Sequence, residues 1–251
     1  MVVSIINNKG GVAKTTTTIH LGAYLAKKKK KVLMIDFDSQ CNLSARVNAN
    51  NINYNIVDFL NGKKEGFALA KSKNSELYTL RGSEKLDIYQ LTPNVLKESL
   101  ESIKNVFDFI LIDCQPSLLH EELLTTNEVA LIASDAVIVP VNADMASISG
   151  VHKLLMAFNR IKNTTNPNLN VLGVVFTAVF EKEQLFLYFY NEFKNKISNL
   201  IFNSYIRKNV DIQKSETKLT TIFEYNPQSS GAEDYANFGD EFLKRIKNLK
   251  K

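Results

Sequence analysis

A glycine- and lysine-rich segment near the start of the chain has the residue types of a phosphate-binding loop. It reads Asn7-Asn8-Lys9-Gly10-Gly11-Val12-Ala13-Lys14-Thr15-Thr16, between an apolar run and a helical pattern. Glycines permit a tight turn that aims backbone N–H groups at an anion, and the helix start adds a positive dipole end. Here Lys14 would meet nucleotide phosphates and Thr15 would ligate Mg²⁺. The sequence therefore predicts a nucleotide site formed by Lys9, Gly10, Gly11, Val12, Ala13, Lys14, Thr15 and Thr16.

The loop departs from the general pattern G-x-x-x-x-G-K-[ST]. Asn8 and Ala13 occupy the positions of its two glycines. Taken alone, the segment could also be a Gly-Gly turn that joins a strand to a helix and binds nothing.

Two acidic segments follow apolar runs and supply carboxylates. Asp38 comes shortly after the second apolar run, and Asp113 directly follows the run Phe109–Ile112. Ligands of open α/β sheets bind at the carboxyl ends of the strands, so both side chains would face one crevice. Asp113 is placed to orient Mg²⁺ through its water shell. The alternative for Asp38 is a solvated aspartate pair with Asp36.

The elements that must position these residues alternate between strand-like and helical patterns. Buried parallel strands read as continuous apolar runs separated by crossover helices. The predicted strands are Val2–Ile6, Val32–Ile35, Leu86–Leu91, Phe109–Ile112, Ala136–Val141 and Val171–Phe176. The predicted helices are Lys14–Lys27, Val95–Asn105, Glu121–Ile132, Ser147–Ile161, Gln184–Leu200 and Tyr235–Leu249. Residues 48–75 form a polar surface excursion with one helix near Ile56–Leu60. The pattern predicts a single α/β domain over residues 1–251, a doubly wound, mostly parallel sheet with helices on both faces.

Composition narrows the setting. The 251 residues carry 31 Lys+Arg against 26 Asp+Glu, a net charge of +5 that permits a polyanionic partner. No stretch reaches the roughly 18 apolar residues of a membrane span, and the first residues do not resemble a secretion signal. The two cysteines exclude a disulfide framework. We therefore expect a cytoplasmic protein.

Other candidate groups have simpler structural explanations. Cys41 and Cys114 flank the acidic segments and are expected to be small inert residues. The three histidines lack metal-ligand spacing. The basic run Lys27–Lys31 fits the end of a helix, and the aromatic run Phe186–Tyr190 fits a helix core. The histidines are His20, His120 and His152.

Three ordered motifs together resemble the ParA/MinD family of P-loop ATPases. The loop Lys-Gly-Gly-Val-x-Lys-Thr-Thr is similar to the family's deviant Walker A loop, in which the first glycine is commonly absent. Asp36-Phe37-Asp38-Ser39-Gln40-Cys41-Asn42 is similar to its switch I motif D-x-D-x-Q-x-N. Asp113-x-x-Pro116-Ser117 resembles switch II, although Gln115 stands where proline is usual. The segments Ile206–Val210 and Gln228–Tyr235 also match, so the resemblance covers nearly the whole chain.

The resemblance implies an enzyme that hydrolyses ATP to ADP and phosphate with Mg²⁺. It implies that Lys14 binds phosphates, that Lys9 reaches the partner subunit's nucleotide in an ATP-bound homodimer, and that Asp38 orients the attacking water. Thr15, Asp38 and Asp113 would hold the Mg²⁺. Slow turnover would suit a switch in which ATP binding forms the dimer and hydrolysis releases it.

The family leaves the role of the dimer open. The favoured hypothesis is DNA partitioning, with non-specific DNA binding on the nucleoid and release stimulated by a ParB-like partner. Its candidate contacts are Arg207, Lys208, Lys214 and Lys218, with Lys244, Arg245, Lys247 and Lys250 of the final helix. A MinD-like alternative would use the apolar residues of that helix on a membrane, although packing against the sheet is the favoured role; those residues are Phe238, Phe242, Ile246 and Leu249. A third possibility is a non-hydrolysing scaffold or an electron-transfer relative, in which Cys41 and Cys114 hold an iron–sulfur cluster between subunits.

Overall fold

The computed structural model describes residues 1–72, 75–117 and 124–249 of the chain. Within these residues one sheet has the strand order β3-β4-β2-β5-β1-β6-β7. Only the short edge strand β3 is antiparallel to its neighbour, and the remaining pairs are parallel. The strands are β1 (Val2–Ile5), β2 (Val32–Phe37), β3 (Ala70–Lys71), β4 (Leu77–Leu80), β5 (Phe109–Cys114), β6 (Ala136–Val141) and β7 (Asn170–Phe176).

Helices cover both faces of this sheet. One core forms against α3 to α7, and a second forms against α1, α8, α9 and α10. Alternate residues of each strand enter the two cores, because successive side chains of a strand point to opposite faces. The predicted doubly wound α/β fold is confirmed. The helices are α1 (Lys14–Lys27), α2 (Asn42–Arg46), α3 (Ile56–Leu60), α4 (Val95–Glu101), α5 (Thr126–Ala133), α6 (Met145–Thr164), α7 (Gln184–Ile197), α8 (Val210–Thr217), α9 (Ile222–Tyr225) and α10 (Ser230–Leu249).

The predicted strand Leu86–Leu91 is wrong. This segment holds a short 3₁₀ helix, Glu84–Ile88, and the strand beside β2 is β4. Leu86 is buried but Ile88 is 83% exposed, so the apolar run does not form a continuous buried strand. The 3₁₀ helix begins where the Ser83 hydroxyl accepts a hydrogen bond from the backbone N–H of Lys85.

Several boundaries also differ from the prediction. The helix that begins at Val95 ends at Glu101, four residues early, and α6 extends beyond the predicted Ser147–Ile161 at both ends. Residues 121–123 of the predicted helix Glu121–Ile132 lie outside the described residues. Strands β2 and β5 run past the predicted ends, so that Asp36 and Asp113 belong to the strands themselves.

Helices α1 and α10 touch at a glycine. A Cβ added at Gly239 would lie 2.1 Å from Cδ1 of Tyr24, so a larger residue would have to displace the Tyr24 ring. Tyr24 lies on the same helix that begins with Lys14. Gly239 therefore permits the close approach of α10 to the helix that follows the phosphate loop.

Candidate functional site

The predicted phosphate loop connects β1 to α1 and is fixed from two sides. Gly11 (φ 73°) and Ala13 (φ 61°) both have left-handed backbones, which shape the turn. The Thr177 hydroxyl donates a hydrogen bond to the carbonyl of Val12, and the Asn7 amide donates to the carbonyl of Pro140. Neighbouring strands thus hold the loop in place. Ala13 adopts a conformation that favours glycine, the residue usual at this position.

Lys14 begins α1 and lies beneath the loop. Its side chain is buried, and Nζ donates a hydrogen bond of 3.0 Å to the carbonyl of Lys9. Burial lowers the pKa of Lys14, while the negative charges of Asp113 and Asp38 oppose this shift. The ammonium group is therefore directed at the loop, where phosphate binding requires it.

Lys9 lies at the rim of the loop and is engaged within its own chain. Its Nζ lies 2.5 Å from Oδ2 of Asp144, and the two side chains are 41% and 36% exposed. Asp144 precedes α6 and also accepts a hydrogen bond from the backbone N–H of Ser147. Partial burial acts to raise the pKa of Asp144, but the hydrogen bonds from Lys9 and Ser147 outweigh it and lower the pKa.

Two carboxylates face each other across β2 and β5. Asp36 and Asp113 are directly paired in the parallel register. Burial raises the pKa of Asp113 to about 8 and that of Asp36 to about 6, and the neighbouring carboxylates add to both shifts. The Thr15 hydroxyl donates to Oδ2 of Asp113 at 2.7 Å, so the predicted hydroxyl and carboxylate ligands are in contact.

Asp38 lies just beyond β2 and is also buried. Its Oδ1 accepts a hydrogen bond of 2.9 Å from the backbone N–H of Gln40, and burial raises its pKa. Lys14 opposes this shift through its positive charge. The carboxylate is thus held close to the phosphate loop in a setting that favours a cationic neighbour.

The residues at this edge fit a magnesium ion that is bound with a nucleotide. Burial and mutual repulsion raise the pKa values of Asp113 and Asp36, and a divalent cation beside them would relieve both effects. Among the described residues, no three His, Cys, Asp or Glu side chains could hold a metal ion by themselves. Mg²⁺ bound with a nucleotide keeps several waters and takes phosphate oxygens as ligands, so it needs few protein ligands.

An open cavity of about 320 Å³ extends from the loop toward α8, a size typical of small-molecule sites. Three of its residues form a contact that the sequence analysis did not find: Thr16, Arg46 and Glu216. Arg46 and Glu216 are 170 residues apart and belong to no recognised motif, so no sequence signal links them. The sequence motifs do not include Asp144 either, although it follows β6 as Asp38 follows β2.

The surroundings of the two cysteines and of His20 fit structural residues. Burial raises the pKa of Cys41 to about 11 and raises that of Cys114 further, which opposes the thiolate form that binds metals. His20 is fully buried, its ring lies 4.8 Å from the tilted ring of Tyr235, and it accepts a hydrogen bond from the backbone N–H of Ile222. His120 lies outside the described residues.

The basic candidates for DNA contact differ in their surroundings. Arg207 is bound by acids: its Nη2 lies 2.6 Å from Oδ1 of the buried Asp234 and 2.9 Å from Oε2 of Glu233. The ammonium group of Lys208 lies 4.8 Å from the centre of the Phe180 ring. Lys214 and Lys218 are exposed on and just after α8, whereas Lys250 lies outside the described residues.

The apolar face of the final helix is packed against the sheet, as favoured from the sequence. Phe238, Phe242 and Ile246 are buried in the second core, and Leu249 is 42% exposed. Arg245 donates hydrogen bonds to the carbonyl of Leu172 in β7 and to the carbonyl of Ile201. Its side chain therefore helps to hold α10 against the sheet. None of the helices within the described ranges has the length and apolarity to cross a membrane.

Comparison with known proteins agrees with these motifs. A family model described as "AAA domain" matches residues 1–171. The chain is 31% identical to the sporulation initiation inhibitor protein Soj of Bacillus subtilis, covering 96% of this chain and 97% of that protein. It is also 31% identical to the chromosome-partitioning ATPase Soj of Treponema pallidum, covering 96% of each.

The fold matches solved structures over its full length. The septum site-determining protein MinD of Pyrococcus horikoshii, solved as a complex with Mg-ADP, superposes with a TM-score of 0.81 at 23% identity. The match covers 100% of this chain and 98% of that one. With the loop, the paired carboxylates and the relatives in agreement, the chain belongs to the ParA/Soj-type P-loop ATPases of the deviant Walker A family.

Proposed function

We propose that the protein is an ATP-dependent DNA-segregation ATPase. The observation that carries this proposal is the convergence of Lys14, Thr15 and Asp113 at one end of the sheet, directly beside the phosphate loop. Phosphoryl transfer needs chiefly positioning and charge stabilisation, and these residues supply both. The Soj relatives, one of them a chromosome-partitioning ATPase by name, support the biological role.

Each residue of the site has a role in ATP hydrolysis. The loop amides and Lys14 bind the phosphates, while Thr15, Asp38 and Asp113 hold Mg²⁺, which would neutralise phosphate charge when bound. Asp38 also orients the attacking water. Its burial, with Lys14 as a charged neighbour, holds the carboxylate beside the loop where it can position a water.

ATP binding favours a homodimer in this proposal. Lys9 is partly exposed at the rim of the loop, where it can leave Asp144 and reach the phosphates of a second subunit. A cation supplied in trans stabilises the charge of the transition state, as an arginine finger does. A ParB-like partner would accelerate hydrolysis and thereby release the dimer from DNA.

The DNA to which the dimer binds is that of the nucleoid. The ATP-bound dimer binds duplex DNA through phosphates without reading the bases, and the exposed Lys214 and Lys218 are candidate contacts. The protein acts as a single domain in the cytoplasm, associated with the nucleoid. The membrane-bound alternative needs the apolar face of α10, which is buried in the core, and is therefore disfavoured.

The test is DNA binding by the purified protein with ADP, ATP or a non-hydrolysable ATP analogue. We expect binding with ATP and the analogue, weak binding with ADP, and persistent binding of Asp38→Ala with ATP because hydrolysis is blocked. Lys14→Ala is the control that removes phosphate binding. Equal binding of wild type in all three nucleotide states would contradict the proposal, as would near-normal phosphate release by Asp38→Ala.

A further inference from the structure

One carboxylate joins three elements at the edge of the phosphate loop. Oε1 of Glu216 on α8 accepts hydrogen bonds from the Thr16 hydroxyl at 2.5 Å and from Nη1 of Arg46 at 2.8 Å. The same Arg46 nitrogen lies 3.1 Å from the Thr16 hydroxyl oxygen. All three side chains line the cavity that extends from the loop.

Thr16 is the member of this contact that belongs to the predicted phosphate site. It lies in the first turn of α1, where free backbone N–H groups and the helix dipole favour an anion. A hydroxyl has one proton to donate, and Thr16 gives this proton to Glu216. The carboxylate therefore takes the donors that an incoming phosphate oxygen would use.

We propose that Glu216 is an internal competitor of the nucleotide, and that Arg46 is a phosphate-positioning residue which the nucleotide gains when it displaces Glu216. The proposal rests on the proposed binding of ATP and ADP to the loop. Glu216 lowers the affinity of the site, while Arg46 supplies a guanidinium that can turn from a carboxylate to a phosphate, since its planar donors suit both.

Electrostatics explains why the carboxylate and the nucleotide exclude each other. The Glu216 side chain is 19% exposed and that of Arg46 is 35% exposed, so water screens the site only in part. A nucleotide phosphate at Thr16 would lie beside Glu216 and repel it. Release of Glu216 removes this repulsion and frees both donors.

Contacts other than those of Glu216 also hold α8 in place. Asn209 caps the start of the helix, where its Oδ1 accepts hydrogen bonds from the backbone N–H groups of Asp211 and Ile212. Ile212 and Ser215 are buried on its inner face. A substitution of Glu216 that keeps the side-chain volume is therefore expected to leave α8 in place.

The first experiment compares wild type with Glu216→Gln by equilibrium titration of a fluorescent ADP analogue. We expect affinity to rise about tenfold, because one charge-assisted competing interaction is weakened. Inorganic tripolyphosphate, used as a competitor, should show the same gain, since it has neither base nor ribose. Glu192→Gln on α7, which makes the same charge change where Glu192 pairs with Lys196, should bind as wild type does.

The second experiment tests the role of Arg46. Arg46→Gln should weaken binding of both probes, and the double variant Glu216→Gln/Arg46→Gln should lose most of the gain of Glu216→Gln. Unchanged or weaker binding by Glu216→Gln would overturn the proposal while leaving the ATPase assignment intact, and so would a gain confined to the ADP analogue. Failure of wild type to bind either probe would instead contradict the proposed function, and this inference with it.

Discussion

Nζ of Lys9 lies 2.5 Å from Oδ2 of Asp144, so the lysine expected to act on a second subunit is bound within its own chain. Both side chains are more than a third exposed, and an ion pair in such a setting is worth about 1 kcal/mol or less. The contact is therefore weak enough to be exchanged for a nucleotide phosphate. Breaking the Lys9–Asp144 ion pair therefore subtracts little from the free energy of dimer formation.

Asp144→Asn should strengthen the ATP-dependent dimer. Asparagine keeps the cap of α6 but removes the charge that holds Lys9. Sedimentation velocity with ATP should show the half-dimerisation concentration fall by up to about fivefold, the equivalent of a weak surface ion pair. Lys9→Ala is the matched variant that should remove the dimer but keep nucleotide binding. A weaker dimer in Asp144→Asn would mean that the pair persists in the dimer.

Ala13→Gly should stabilise the protein by about 0.5 kcal/mol. The left-handed backbone at Ala13 costs a residue with a Cβ about 1–2 kcal/mol, and the greater freedom of glycine in the unfolded chain offsets about half of the gain. Ala23→Gly in the middle of α1 is the matched control and should lose about 1 kcal/mol. Urea unfolding gives the free energy of unfolding of both variants. A loss of stability in Ala13→Gly as well as in Ala23→Gly would refute strain at Ala13.

Substitution of Arg207 should lower stability, whereas substitution of Lys214 and Lys218 should weaken DNA binding. Arg207→Ala leaves the buried Asp234 without its partner and should cost about 2 kcal/mol, a value reduced because Arg207 is partly exposed. Its DNA affinity should keep the wild-type salt dependence. Lys214→Ala/Lys218→Ala should instead reduce the log–log salt slope by about 0.9 per lost contact. A reduced salt slope in Arg207→Ala, with an unchanged slope in Lys214→Ala/Lys218→Ala, would instead identify Arg207 as the DNA contact.

His20 should make the protein sensitive to acid. Burial lowers its pKa from 6.5 to about 3, so below pH 6.5 the unfolded chain takes up a proton that the folded protein does not. Stability should therefore fall by about 1.4 kcal/mol per pH unit from this group as the pH drops from 6.5 toward 3, with no contribution above 6.5. His20→Asn keeps an acceptor for Ile222 N–H. Denaturant titrations should show that the difference in unfolding free energy between wild type and variant changes with this slope, and a constant difference would contradict it.

The phosphate loop and the helix that follows it could be predicted from the local sequence. Helix α1 begins at Lys14 and ends at Lys27, as predicted, because the loop and the basic run mark both ends. The segment at Leu86 was mistaken because composition alone does not distinguish a strand from a 3₁₀ turn when few side chains are buried. The contacts of Lys9 with Asp144 and of Arg46 with Glu216 join residues 135 and 170 positions apart, which pattern and spacing do not reveal.

The contact of Tyr24 with Gly239 limits how a nucleotide signal can travel. Because the Tyr24 ring fills the space where any side chain at position 239 would lie, a movement of α1 across α10 at this point would have to displace the ring. We therefore expect the helix that begins at the phosphate loop to keep its place against α10. Structures in different nucleotide states should superpose on the sheet, α1 and α10, and their differences should be confined to short segments such as 38–46 and 206–217.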